Sequence, residues 1–223
     1  MNRTTWIDAL PELLEAFGQT AWMTGWAFLI TLVLGLVVGV ALRLTAPDGM
    51  TPSRVFYQVC GAIVNLTRSL PFLILLIVLI PFTRYVVGTA YGPTAAIVPL
   101  AVGAIPFYAR VVESALREVA HGKIEAAQSM GASTWQIVRK VLLPEAMPGL
   151  VAGGTLTLVT LIGYSTMAGA IGGGGVGDFA IRYGYQRFNA PVLLSSVIVL
   201  IVIVQVVQSI GDAIVRSMNH KRG

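Results

Sequence analysis

Thr20 to Leu42 is a run of 23 residues without a charged side chain, longer than the ~20 a helix needs to cross the hydrocarbon of a bilayer. The rest of the chain has no means of hiding it in a soluble core. Only 11% of the residues are charged, against about 25% in a soluble domain, and the mean hydropathy is +0.79. The chain is therefore an all-α, polytopic membrane protein, because a spanning segment in lipid must satisfy its own backbone groups and a helix does so. At 223 residues it fits one compact helical domain.

Four more spans are expected after the one at residues 20–42. The second, about 62–82, has to take in Arg68, since neither flanking apolar stretch is long enough alone; near one end, its stem can snorkel. The third, about 88–109, is interrupted by Gly92, Pro93, Pro99, Gly103 and Pro106, residues that membrane helices tolerate where neighbours re-satisfy the backbone. The fourth runs from about 148 to 171 and ends at Gly172 to Gly175. The fifth covers about 191–210 and opens on Pro191, a good first-turn residue. Residues 1–19 carry Asp8, Glu12 and Glu15, unlike a signal peptide. Their apolar members Trp6, Ile7, Leu10, Leu13, Leu14 and Phe17 recur at helical spacing, which describes an interfacial amphipathic helix; a regulatory docking role is the alternative. Residues 20–215 form the membrane domain and 216–223 a basic tail.

Lysine and arginine set the orientation, since cytoplasmic loops carry the excess. With the amino terminus outside, Arg43, Arg54, Arg110, Arg117, Lys123, Arg139, Lys140, Arg216, Lys221 and Arg222 lie inside, and only Arg3, Arg84, Arg182 and Arg187 outside. The long polar loop, residues 113–149, and the carboxyl terminus then face the cytoplasm. This placement accounts for the net charge of +5 as membrane topology rather than nucleic-acid binding.

Several functions find no support. Cys60 is the only cysteine and cannot form an intrachain disulfide. His121 and His220 are far apart, so no metal site is expected. The only Gly-Lys pair, Gly122-Lys123, is followed by Ile124 and is no phosphate-binding P-loop. Gly172, Gly174 and Gly177 satisfy G-x-G-x-x-G, but after a membrane span rather than a buried strand, which reads as a tight, mobile turn. No nucleophile, base and acid assemble into a triad, so the chain is not expected to be an enzyme and needs no cofactor of its own. The five spans as bounded above contain no Asp or Glu. An ion-coupled carrier usually needs such a carboxylate, so the energy for any transport is expected from a partner, with an ion-coupled secondary carrier as the alternative.

The polar loop has its own local logic. Ile124 to Met130 is helix-forming, and Ala126 and Ala127 are small enough to let it sit deep in a partner's groove. Glu125 is expected in the first turn, at the positive end of the dipole. Gly131 is placed to stop the helix in a left-handed conformation. Ser133 or Thr134 then caps a second helix with Trp135, Val138 and Leu142 on one face, and Pro144 is expected to end it and return the chain to the membrane. An ordinary solvated loop with two short helices is the plain alternative. Within the spans, Arg68 is either an inner-gate or subunit-contact residue or an interfacial anchor. Tyr164, Met167, Ala168 and Ile171 share a helical face, which either lines a pathway or packs against a neighbouring span.

Glu125-Ala126-Ala127, three residues, Gly131, nine residues, then Val141-Leu142-Leu143-Pro144 resembles the EAA loop of ABC-importer permeases, EAA-x3-G-x9-I-x-L-P, with Val141 in the isoleucine place. That resemblance implies a type I permease fold and a cytoplasmic coupling helix docked on a separate ATPase subunit, with Glu125, Ala126, Ala127, Gly131, Leu143 and Pro144 as the coupling segment. Asn65–Arg84, Pro106–Arg110 and Gly163–Phe188 are similar to the methionine-uptake permeases of bacterial inner membranes. This closer resemblance implies a homodimer, two ATPase subunits that hold ATP and magnesium, and a periplasmic or lipid-anchored methionine-binding protein. It also places Met167 near the central pathway, with Tyr164, Ile171 and Arg68 as further pathway or gate candidates. Other amino acids or small metabolites remain alternative substrates.

Overall fold

The computed structural model describes residues 9–220, and all regular structure among them is helical. The first helix, α1 (Leu10–Thr45), is 36 residues long and leads through a short turn to α2 (Arg54–Ser69). Two short helices follow, α3 (Phe72–Val78) and α4 (Ile80–Val87), and then α5 (Pro93–Arg117). The polar loop holds α6 (His121–Ser129) and α7 (Thr134–Ile137). From α7 the chain winds through a π-helical stretch, Val138–Leu142, straight into α8 (Leu143–Ala170). A tight turn leads to α9 (Gly175–Phe179), a second π stretch (Ala180–Tyr185) and α10 (Ala190–His220).

Four helical segments are long and apolar enough to cross a membrane, or five if the bent pair α2–α3 counts as one. The bend in that pair is 106°. This corrects the continuous second span at 62–82. Pro71 lacks the N–H that would continue the ladder and forces Leu70 into an extended conformation (φ −78°, ψ 132°), so Arg68 lies in the last turn of α2 beside an elbow. The other boundaries shift as well. The third helix starts at Pro93 and runs past residue 109 to Arg117, carrying Glu113 with it. The fifth continues beyond 210 to His220, so the expected tail at 216–223 begins inside a helix, and residues 221–223 lie outside the described residues.

The separate amphipathic helix over 1–19 is also revised. Trp6, Ile7 and Asp8 lie outside the described residues, but from Leu10 onward the chain passes without a break into the first span. Only one side of it is covered by protein: Leu13 and Ala16 pack with Val176, Phe179 and Val192, while Leu10, Leu14 and Phe17 stay exposed.

Helix α1 lies along α5, and α5 in turn packs against α8. Small residues allow the close approach: a Cβ on Gly39 would sit 2.5 Å from Cβ of Val112. The core divides along the bundle. One cluster gathers Met23, Phe72, Leu100, Leu161 and Ala168. The other, at the opposite end, gathers Val112, Leu116, Ile124, Ala127, Ile137, Val138, Leu142 and Leu150, so the polar loop is built into the same packed body as the long helices. Gly39→Leu is expected to force α1 off α5 and to destabilise the protein by about 1–3 kcal/mol, the usual cost of overpacking, read as a lower melting temperature in detergent.

Candidate coupling site and candidate pathway

Helix α6 begins at His121, a turn earlier than its propensity alone suggests, so Glu125 stands in the second turn rather than the first. Its carboxylate lies 3.3 Å from Nε2 of His121, and both side chains are exposed. Gly131 adopts φ +77°, the left-handed conformation that ends the helix. Ser133 is the cap: its Oγ accepts from the Gln136 N–H while Gln136 Oε1 accepts from the Ser133 N–H, a reciprocal capping box.

The structure divides the expected coupling residues into two groups. Glu125, Ala126, Gly131 and Pro144 are exposed, while Leu143 is partly covered. Ala127 is buried and, with Ile124, faces the inner core. Its smallness serves the seating of α6 on this chain's own helices and not a partner's groove. Lys123 anchors the same seat by pairing with Glu145 of α8 at 2.7 Å. Trp135 is corrected too. Val138 and Leu142 are buried with Ile137, but Trp135 points outward and is 68% exposed, and Met130 is exposed at 81%. Sequence reasoning missed both as surface groups, although two large apolar side chains flanking a polar helix were there to be read.

Pro144 does not end its helix. A proline ring clashes with the carbonyl four residues back and donates no bond. Here the preceding turn is widened, with the Leu143 N–H reaching the Val138 carbonyl five residues away. The π stretch absorbs the conflict, so α7 to α8 is one continuous rod from Thr134 to Ala170.

A buried ionic cluster lies just before α6. Glu113 is almost wholly covered. Its Oε2 accepts from Arg110 Nη1 at 2.6 Å, and its Oε1 accepts from Arg117 Nη2 at 3.1 Å and from the Tyr57 hydroxyl at 2.9 Å. Arg110 Nη2 also donates to the Gly61 carbonyl and to Oδ1 of Asn65. The cluster therefore clamps α2 to the end of α5. The expectation that the third membrane helix carries no acid holds only to residue 109. Glu113 escaped notice because Tyr57 lies 56 positions away.

The pathway candidates separate in a similar way. Arg68 lies over the Phe107 ring at 6.0 Å, and Tyr164 stacks on Phe72 with ring centroids 4.1 Å apart. All four line one cavity of about 160 Å³, together with Thr67 and Gly103. Ala168 is buried core, Ile171 lines a different small cavity beside Thr83, and Met167 is 47% exposed on the bundle surface. The glycine turn at 172–177 binds no phosphate with its backbone. The Gly175 N–H donates to Gln19 Oε1 and the Val176 N–H to Thr20 Oγ1, which pins the turn to α1 and replaces the expectation of a mobile one. Among the described residues no group of three or more His, Cys, Asp or Glu side chains is placed to hold a metal ion.

A helical membrane bundle with its longest loop folded back as an exposed helix on the packed end has the architecture of a type I ABC-importer permease. The chain belongs to the family of binding-protein-dependent transport system inner membrane components, whose pattern it matches over residues 31–221. It is 52% identical over 209 residues to a probable D-methionine transport system permease protein, MetI, of Vibrio cholerae, covering 94% of this chain and 93% of that one. It is 46% identical over 212 residues to the methionine import system permease protein MetP of Bacillus subtilis, covering 95% and 96%. The fold superposes on the inward-facing MetNI methionine ABC transporter with a TM-score of 0.91 at 50% identity, over 92% of this chain and 95% of that one. An amino acid ABC transporter at 17% identity shares the fold with a TM-score of 0.78.

Removing the carboxylate from the ionic cluster should leave Arg110 facing a buried void, while the half-exposed Arg117 can turn to water. Glu113→Ala is expected to cost about 1–3 kcal/mol, and Tyr57→Phe only about 0.5–1.5 kcal/mol; the order of the two melting temperatures checks this.

Proposed function

We propose that this chain is the permease subunit of an ATP-driven methionine importer of the bacterial inner membrane, working as a homodimer with two cytoplasmic ATPase subunits and a periplasmic or lipid-anchored binding protein. ATP and magnesium act on the partner ATPase; this chain supplies the path and the mechanical connection. The amino terminus lies outside and the carboxyl terminus in the cytoplasm, as the distribution of lysine and arginine favours.

The observation that carries this reading is the surface of α6. Glu125, Ala126 and Gly131 are exposed together with Met130 and Trp135, while Ile124 and Ala127 hold the same helix on the inner core. Large apolar side chains exposed beside a seated helix suit a protein partner, and the helix has the proportions for a groove on it. Methionine as the substrate is supported by the relatives at about half identity, which are named as methionine transport permeases. In the working cycle, ATP binding draws two ATPase subunits together and moves the two α6 helices with them. The rods from Thr134 to Ala170 then tilt, and the membrane bundle alternates between inward-open and outward-open states.

Glu125→Arg combined with Gly131→Asp is expected to abolish ATP-driven methionine uptake in reconstituted vesicles while leaving membrane insertion intact. Wild-type uptake in that variant removes α6 from the mechanism. Uptake driven by an ion gradient without ATP replaces the importer with a secondary carrier. A deletion strain dependent on methionine that still grows normally on low methionine shifts the substrate to another small metabolite.

A further inference from the structure

A second, large cavity shares no lining residue with the Arg68–Tyr164 cavity and has no part in the reading above. It is a groove of about 540 Å³ between α1 and α10, floored by α8. Leu32 and Leu36 form one wall, Ile210 and Ile214 the other, and Met147, Gly154 and Leu158 lie along the floor. The two hydroxyls in the lining are already used: Tyr108 donates to the Leu150 carbonyl and Thr155 to the Val151 carbonyl. The wall therefore offers no free hydroxyl donor and no charged side chain, so a zwitterionic amino acid would lose its hydration there without an ionic partner. Along α8 the floor extends from Leu143 to Leu158, a rise of about 22 Å, more than half the ~30 Å hydrocarbon thickness. Around α8, Gly154 and Met167 are roughly 140° apart, so the groove opens away from the Met167 side.

The end of the groove nearest the α6 loop is basic. Arg139 and Lys140 lie four and three residues before Leu143, about one turn along the rod. Both are exposed and neither forms an ion pair among the described residues. Glu145 is engaged by Lys123, and Asp212 leaves the positive excess in place.

We propose that this groove is a binding site for an anionic phospholipid of the leaflet on the α6 side, its acyl chain lying along α8 and its headgroup phosphate held by Arg139 and Lys140. Basic mouths between membrane helices favour such headgroups. A second copy of the chain is the poorer occupant, because a two-fold contact apposes the same patch on both subunits and would bring the two basic mouths together. The assignment of that leaflet to the cytoplasmic side rests on the orientation proposed above; the site itself does not.

The test uses the permease–ATPase complex, equilibrated with vesicles of equal phosphatidylglycerol and phosphatidylcholine, re-purified in mild detergent and assayed for retained lipid by mass spectrometry. Wild type is expected to keep about one phosphatidylglycerol per permease chain, enriched several-fold over phosphatidylcholine. A Cβ at Gly154 meets no atom closer than 3.6 Å, so Gly154→Leu fits the backbone, fills the floor and should release both lipids. Arg139→Gln with Lys140→Gln should retain lipid but lose the enrichment, and this surface pair decides the matter alone if Gly154→Leu does not fold. No retained lipid in wild type, or unchanged retention and enrichment in the variants, overturns the proposal. So does a disulfide between copies through Leu158→Cys in a Cys60→Ser background, which puts a second chain in the groove.

Discussion

Everything the α6 loop can do depends on Ile124 and Ala127 being packed into the same core as Val112, Leu116, Ile137, Val138 and Leu142. A polar loop floating over a membrane bundle can bind a partner, but it cannot move anything, because its own hinges absorb the displacement. Two apolar side chains turned inward, with Lys123 clasping Glu145, make α6 an extension of α5 and α8 rather than a tether between them. Burying two such groups is worth a few kcal/mol at ~25 cal/mol per Å² of apolar surface, enough to hold the helix on the bundle.

The backbone is continuous in one place and broken in another. From α7 to the end of α8 the chain is one rod, while α2 and α3 meet at an elbow of 106°. Ordinarily a proline inside a helix provides the kink, and Pro144 and Pro71 take opposite parts here. Pro144 is absorbed by a widened turn that keeps the rod intact. Pro71 follows an extended residue and breaks its helix outright. The elbow holds Phe72 against Tyr164 and Arg68 over Phe107, so the candidate pathway residues lie where the backbone is discontinuous. The ion cluster at Glu113 ties the other end of α2 to the root of the α6 loop.

Local chemistry was legible in the sequence wherever one or two residues decide the outcome. Gly131 has the left-handed backbone that its position implies, Ser133 caps as a serine before a helix should, and the uncharged run from Thr20 gives the long first helix. Three other features depend on partners remote in sequence. The burial of Glu113 requires Tyr57, the inward turn of Ala127 requires the face of α5, and the seamless start of α1 requires α9 to cover Leu13 and Ala16. Periodicity gives the angle between side chains around a helix, but only tertiary packing says which angle points in. That is why Trp135 and Val138, assigned to one face, finished on opposite sides of the surface.

The glycine-rich turn makes the same point about motifs. Gly172, Gly174 and Gly177 carry the spacing of a dinucleotide fingerprint, and the backbone N–H groups of residues 175 and 176 do point at oxygen atoms, as they would in such a site. The oxygens belong to Gln19 and Thr20. A helix start with unsatisfied donors attracts whatever acceptor the fold brings near. In this bundle the acceptor is the polar step on α1, between the stretch that packs on α9 and the stretch that crosses the membrane. Those two side chains fix α9 and with it the turn that sets α10 beside α8. The polar residues that looked like the end of an interfacial helix are thus a structural joint, and their satisfaction inside the protein explains how α1 runs unbroken through a polar step.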